Sequence, residues 1–260
     1  MLEQVSQIAA EAGRIAERRC GEAFERWEKV PGHPVCDIDL EIDAFLREHL
    51  SSLDPDAGWL SEETLDDSDR IERRRLWVVD PIDGTRDYLR GRSGWAVSVA
   101  LVEDRVPIIG VLDAPARGEH WTAIKDGGAW RNGEPLRVSG RTRFAGARVP
   151  TDQLPAADRD LAAVHKPNSI ALRIAMVAAG EADLVATLRW GFEWDIAAAA
   201  LIASEAGAEV SGALGQPLAF NTASGEAFGV LVSTPAIHPA AVERLRPRAL
   251  GLIDSRPKMG

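Results

Sequence analysis

The sequence is poor in cysteine: Cys20 and Cys36 are the only two in 260 residues. That is no disulfide framework, and it points to a reducing, cytoplasmic setting. Long hydrophobic runs are missing too. The longest, residues 196–203, falls far short of the roughly 20 residues a membrane span needs. The opening MLEQVSQIAAEAG lacks the basic and apolar blocks of a signal peptide. Positive charge is in deficit, with 30 Lys+Arg against 40 Asp+Glu and a net charge of −10. A bare surface of that sign argues against a nucleic-acid polymer or an anionic membrane as partner. It leaves a small anionic ligand open, because a bound metal inverts the local field. The five histidines, His33, His49, His120, His165 and His238, lack the spacing of a ligand pair, and most of them read as surface or loop residues. No internal repeat is visible.

What is present is ordinary globular composition, 45% hydrophobic and 27% charged, which argues against disorder. The length suits one large α/β domain or two intimate subdomains. Val5, Ile8, Ala9, Ala12, Ile15 and Ala16 fall at helical spacing. Residues 21–34 are broken by Pro31, Gly32 and Pro34. A second helix is predicted over 37–50, burying Ile38, Ile42, Phe45 and Leu46, with acids in its first turn. Residues 76–79 read as a buried strand. Residues 95–102 and 108–112 read as a hairpin turned at 103–105. Further turns are expected at Gly127-Gly128 and Asn132-Gly133. Residues 141–161, rich in Arg, Ala, Pro and Asp, mark the start of a second half. A helix over 170–179, a strand over 182–186, an Ala-rich helix over 196–206 and a strand over 229–233 follow. Residues 246–260 read as a loose tail. The mixture of hairpins and βα alternation predicts stacked mixed sheets with helices, not a doubly wound sheet.

The most informative stretch is WVVDPIDGTRDYLR, residues 77–90. An apolar strand ends in Asp80, Pro81 biases Asp80 towards extended backbone, and Asp83 follows. Gly84 lets backbone approach a ligand. The N–H groups of Gly84, Thr85 and Arg86 at a helix start would cradle an anion. Two carboxylates beside such a cradle make sense with Mg²⁺ between them, since Mg²⁺ takes oxygen ligands and bridges to phosphate. A capped turn with two solvated acids is the competing reading of a bare D-x-x-D. Two further acidic places stand out: Ser61-Glu62-Glu63 after Trp59-Leu60, and Asp195 after Trp194. Each has a structural alternative, a polar loop for the first and an ordinary helix N-cap for the second.

Three segments together resemble the inositol monophosphatase superfamily, which includes the 3'(2'),5'-bisphosphate nucleotidases: SEE at 61–63, WVVDPIDGT at 77–85 and WDIAAAALIASEAGA at 194–208. The resemblance runs over nearly the whole chain. It implies a layered αβαβα sugar-phosphatase fold with two stacked mixed sheets. It also implies an N-terminal half, 1–140, carrying the SEE and DPIDGT motifs, a C-terminal half, 141–260, carrying the WD motif, and an active site between them. By the same resemblance Glu62, Asp80, Asp83, Asp195 and the carbonyl of Ile82 are metal ligands. Thr85 works with Glu62 on the attacking water, Asp80 belongs to the catalytic set, and Asp39 contributes to a third metal site. There the chain departs from the family pattern, with Cys36 where threonine is usual. Asp83, Gly84, Thr85, Ser169, Arg189 and Asp195 are expected at the substrate. The implied chemistry is direct hydrolysis by water activated at two, and at most three, Mg²⁺ ions. Lithium sensitivity and homodimerisation are implied as family properties.

Other chemistries fare worse. A D-x-D-G-T phosphatase needs a nucleophile two residues before Asp83, and that position is Pro81. The eight tryptophans are expected mainly in packing. A metal-binding scaffold without turnover is disfavoured by the intact set of acids. For substrate, Arg189 in Arg189-Trp190-Gly191 stands where inositol monophosphatases usually carry an acid. A guanidinium suits a second phosphate, so the expected substrate is adenosine 3',5'-bisphosphate, with inositol 1-phosphate or a related sugar phosphate as the alternative. Asn168-Ser169 in place of Gly-Ser is expected to reshape the pocket beside Lys166 and Arg173.

Overall fold

The computed structural model describes residues 1–20, 26–30 and 33–254, with side chains described for 1–20 and 37–253. The chain opens with helix α1 (Leu2–Arg19), strands β1 (Arg26–Val30) and β2 (His33–Cys36), and helix α2 (Asp37–Leu53). Strands β3 (Gly58–Ser61) and β4 (Arg75–Asp83), the short helix α3 (Thr85–Tyr88), and strands β5 (Ala96–Glu103), β6 (Val106–Ala114), β7 (Glu119–Ile124), β8 (Gly128–Arg131) and β9 (Glu134–Pro135) follow. Then come β10 (Arg148–Pro150), β11 (Ala162–Val164), α4 (Ile170–Ala178), β12 (Leu184–Phe192), α5 (Ala197–Glu205), β13 (Glu209–Ser211), β14 (Glu226–Ser233) and α6 (His238–Asp254).

Strands β3 to β9 form one seven-stranded sheet in sequence order. Only its β3–β4 pair is parallel. A three-stranded antiparallel sheet has the order β12-β14-β13. Alternation along β4 explains the layering. Leu76 and Val78 point into a core shared with α4, α5 and the small sheet, while Trp77 and Val79 point into a second core under α1 and α2. A strand buried on both faces needs a continuous apolar run, and β4 supplies one over residues 76–79. Helix α6 and the turn before it cover the far face of the small sheet through Ala241 and Leu245 of the helix and Ile237 of the turn, which pack on Leu184 and Leu231. The layers therefore run α1/α2, large sheet, α4/α5, small sheet, α6, the αβαβα order expected.

Helix α5 lies in the central layer with apolar residues on all sides. Its alanines let it sit close to β6, where a Cβ on Gly110 would stand 2.7 Å from the Ala198 carbonyl oxygen. Any side chain at residue 110 would push α5 off the sheet.

Three expectations need revision. Residues 246–254 are not a loose tail, because α6 continues to Asp254 through Pro247, while 255–260 lie outside the described residues. Leu245 and Ala249 stay buried. Arg248 pairs with Asp158 at 2.8 Å and Arg244 with Asp160 at 3.0 Å, which offsets the hydrogen bond that Pro247 cannot donate. Within 21–34, residues 26–30 pair with 33–36 as a hairpin. Pro34 is tolerated there because a two-stranded ribbon has free edges. Two histidines are not surface residues but struts. His120 links Ser6 of α1 to Asp113 of β6 by contacts of 2.7 Å each. Buried His238 bridges Ser211 and Ser233 at 2.9 Å each, and burial lowers its pKa. Among the described residues no helix is long and apolar enough to cross a membrane.

Candidate metal centre

Residues three apart in a regular strand point to opposite faces, so Asp80 and Asp83 would diverge if β4 were uninterrupted. The register with β5 shows why they converge. Asp80 pairs with Ser98 and Asp83 with Ala96, so β4 carries one extra residue across that interval. The bulge holds Pro81, which has no N–H to withdraw from the ladder. Asp80 turns its carboxylate back to accept the Ile82 N–H at 2.9 Å.

Asp195 reaches the same place from the other side. It is not the N-cap of α5; Ile196 holds that position, with no side-chain cap. Its carboxylate instead accepts the Phe192 N–H at 3.2 Å. Carboxylate oxygens of Asp80, Asp83 and Asp195 all lie within 4.8 Å of one another.

Asp83 is the best supported of the three. The Ser169 hydroxyl donates to it at 2.5 Å and the Ala171 N–H at 2.7 Å. Ser169 also caps α4 by accepting the Leu172 N–H at 2.9 Å. Ser169, expected at the substrate, is wholly buried, stands behind Asp83 and does not itself line the cleft. The turn after Asp83 depends on Gly84, whose φ is 98°. A Cβ there would stand 2.7 Å from the Gly94 carbonyl oxygen and 2.9 Å from the Ser169 nitrogen. Thr85 opens α3, and its hydroxyl donates to the Ile82 carbonyl at 3.0 Å. That carbonyl keeps a second lone pair for another partner.

Glu62 sits one residue beyond β3, and its N–H extends the parallel ladder to the Val79 carbonyl at 3.3 Å. Its loop is tied down by Asp43 of α2, which accepts from the Ser61 hydroxyl and from the Thr64 hydroxyl at 2.5 Å. Sequence reasoning missed Asp43. Its signal was an acid one helical turn after Asp39 on the inward face of α2, where both are buried. The side chain of Cys36, the departure at the expected third metal site, lies outside the described residues.

The electrostatics follow from crowding. Burial pushes the pKa of Asp80 well up, and the charges of Glu62, Asp83, Asp195 and Asp39 add to it. Burial and the neighbouring Asp83 push Asp195 up to about 7, against the Phe192 N–H and the guanidiniums of Arg189 and Arg173. Burial also raises Asp83, with Ser169, Ala171 and Arg173 opposing. A knot of carboxylates that resist ionising together is costly by itself and well matched to a hard divalent cation. The donor set thus fits Mg²⁺.

These groups share a cleft of about 470 Å³. Glu62, Asp80, Ile82, Asp83, Gly84 and Thr85 line it from one half of the chain, and Lys166, Arg173, Arg189 and Asp195 from the other. Arg173 is anchored by donating to the carbonyls of Asn168 at 2.7 Å and Ser169 at 3.1 Å, and its burial lowers its pKa. Trp190, 37% exposed, stands on the same wall, edge-on to Phe228 with ring centroids 5.4 Å apart. Trp77, Trp95 and Trp121 are packed in the cores.

Comparison with known proteins agrees with this geometry. The chain is 31% identical over 229 residues to the 3'(2'),5'-bisphosphate nucleotidase CysQ of Escherichia coli, covering 84% of this chain and 93% of that one. It is 33% identical over 235 residues to an inositol-1-monophosphatase of Mesorhizobium japonicum, covering 81% and 85%. The fold superposes on the Thermotoga maritima IMPase with a TM-score of 0.83 at 27% identity, covering 96% and 98%. Residues 1–248 match the inositol monophosphatase family as a whole. The chain belongs to the inositol monophosphatase family and is a metal-dependent phosphatase of phosphomonoesters.

Proposed function

We propose that this phosphatase is Mg²⁺-dependent and removes the 3'-phosphate of adenosine 3',5'-bisphosphate. The observation that carries the reading is a cleft in which Arg189 and Arg173 face the acid cluster closely enough to favour ionised Asp195. A substrate with two phosphates needs one anionic group at the metal centre and another on a cation. Trp190 on the same wall offers an aromatic surface to a base. The Escherichia coli relative is named for this substrate class. The second reading, inositol 1-phosphate, is favoured by the Mesorhizobium relative.

In this reading Asp80, Asp83, Asp195, Glu62 and the Ile82 carbonyl hold Mg²⁺, with Asp39 reaching a weaker third site. Bound Mg²⁺ supplies Lewis acidity towards the phosphoryl oxygens and a water of lowered pKa. Glu62 and Thr85 orient the attacking water. The backbone of Gly84 and Thr85 faces the phosphoryl group. The site lies between the two halves of the chain, 1–140 and 141–260.

Values of kcat/KM for the two substrates decide between the readings. Higher efficiency on inositol 1-phosphate would overturn the first. Arg189→Ala is expected to lose about tenfold or more on the bisphosphate, the scale of one charge-assisted contact, and little on inositol 1-phosphate. An equal loss on both would remove Arg189 from substrate selection.

A further inference from the structure

A second constellation of charge lies outside the cleft, with its two central residues buried. Glu193 is 0% and Arg70 2% exposed, and neither lines the cleft. The Glu193 carboxylate accepts three hydrogen bonds, all from one loop: the N–H of Asn221 at 2.6 Å, the N–H of Thr222 at 2.8 Å and the Thr222 hydroxyl at 2.6 Å. Arg70 grips that loop from the other side. It donates to the Asn221 side-chain oxygen at 2.7 Å and the Thr222 carbonyl at 3.0 Å, and its own carbonyl accepts from the Asn221 amide at 3.1 Å. Asp66 holds the rest of the guanidinium at 2.5 and 2.7 Å. Asn221 is kept in the left-handed region, φ 55°, a conformation that persists when its surroundings over-determine it.

Both ends of this bridge lead to the cleft. The Glu193 N–H donates to the Gly225 carbonyl at 2.9 Å. Its own carbonyl accepts from Ile196 at 3.1 Å and Ala197 at 2.9 Å. The turn carrying Asp195 is therefore fixed at both of its ends through Glu193. Arg70 lies in the connection from β3 to β4, and a Cβ on Gly58 of β3 would stand 2.9 Å from the Arg70 Cβ. Strand β3 delivers Glu62. The loop 221–225 thus ties the segment of Glu62 to the segment of Asp195, 133 residues apart in the sequence.

We propose that Arg70 and Glu193 are positioning residues for the metal centre, acting as one unit through Asn221 and Thr222 to set Asp195 relative to Glu62. This rests on the reading of Asp195 and Glu62 as metal ligands. Apolar packing could fill the same volume, but it would not fix direction; a buried carboxylate with three donors does. Supporting groups behind ligands commonly govern metal affinity by about 10- to 100-fold.

The test is Mg²⁺ binding by calorimetry on the full chain, alongside Mg²⁺ activation of turnover. Glu193→Gln places an amide against backbone donors and is expected to weaken Mg²⁺ binding about tenfold, with kcat recovering at saturating Mg²⁺. Arg70→Met is expected to do the same, and the double variant to lose no more than the worse single one. Asp183→Asn, remote from the cleft, controls for lost stability. If Glu193→Gln and Arg70→Met lower Tm as that control does but leave Mg²⁺ affinity within twofold, the pair is structural only and the proposal falls. Additive losses would overturn the single unit. If wild-type protein and Asp195→Asn bind Mg²⁺ alike, it is the metal reading that fails, a result distinct from either.

Discussion

Asp183, buried, and Asp195, partly buried in the wall of the cleft, are two carboxylates of the same half of the chain whose pKa values move in opposite directions. Burial works to raise both. At Asp183 it is outweighed by Arg148, which donates from its backbone N–H at 2.8 Å and its guanidinium at 2.7 Å, and by the Ser139 hydroxyl at 2.5 Å. The result is a pKa held at about 2. At Asp195 burial is joined by the charge of Asp83, and the opposing groups are too few, so it rises to about 7. Asp83 is also raised by burial but is restrained by Ser169 and the first turn of α4. Burial alone therefore does not distinguish a structural acid from a functional one. The partner does. An acid given a cation and a full set of donors is complete within the fold, while an acid packed against other acids is complete only with a ligand.

The largest expected effect comes from removing the incomplete acid. Asp195→Asn should lower kcat/KM by more than about 100-fold, the upper end for groups that merely support a metal ligand. Yet it removes one of several like charges, so the metal-free variant should melt higher than metal-free wild type. Calorimetric scans in excess chelator check this; a lower Tm would mean that Asp195 is a structural acid after all. Asp183→Asn should do the reverse. Losing a shift of about two pKa units costs about 2–3 kcal/mol, or roughly 5–10 °C in Tm for a chain of this size. Its kcat/KM at 25 °C should stay within twofold of wild type.

The asymmetry also governs what could be read in advance. The acids of β4 were legible because an apolar strand ending in Asp-Pro-x-Asp-Gly is a local pattern, and the bulge that makes them converge is encoded by Pro81 beside them. The layer order was legible from the alternation of strands and helices, together with the family resemblance. The supports were not. Arg70 and Glu193 act across 151 and 28 residues of sequence, and nothing in their immediate neighbours marks them; Asp43 and Ser169 act across 18 and 86, on partners that no local pattern supplies. Ser169 looked like a substrate residue because it sits in a recognisable motif, and only its burial places it behind Asp83. Pro247 is a strong local signal for a helix end. It is overridden by Leu245, Ala249 and the ion pair of Arg248 with Asp158, all tertiary.

The smallest effect, and the most discriminating, is the pH dependence of stability. Asp183 has a folded pKa below the ordinary 3.8. Its contribution is complete above that value and is lost as pH falls towards about 2. Asp195 has a folded pKa raised from 3.8 to about 7. Its protonated form is the one the metal-free fold accepts, so stability is fullest below 3.8 and is lost as pH rises through 7. Between pH 5.5 and 7.5 Asp183 is ionised throughout and contributes no slope, while Asp195 titrates. The urea midpoint of metal-free wild type should therefore fall over that interval, and that of Asp195→Asn should fall less. With saturating Mg²⁺ the slope should weaken or reverse, because binding to the carboxylates releases their protons and so strengthens with pH. Parallel curves for the two metal-free proteins would show that the charge crowding at the cleft is relieved without a cation, and the distinction between the two acids would then rest on hydrogen bonding alone.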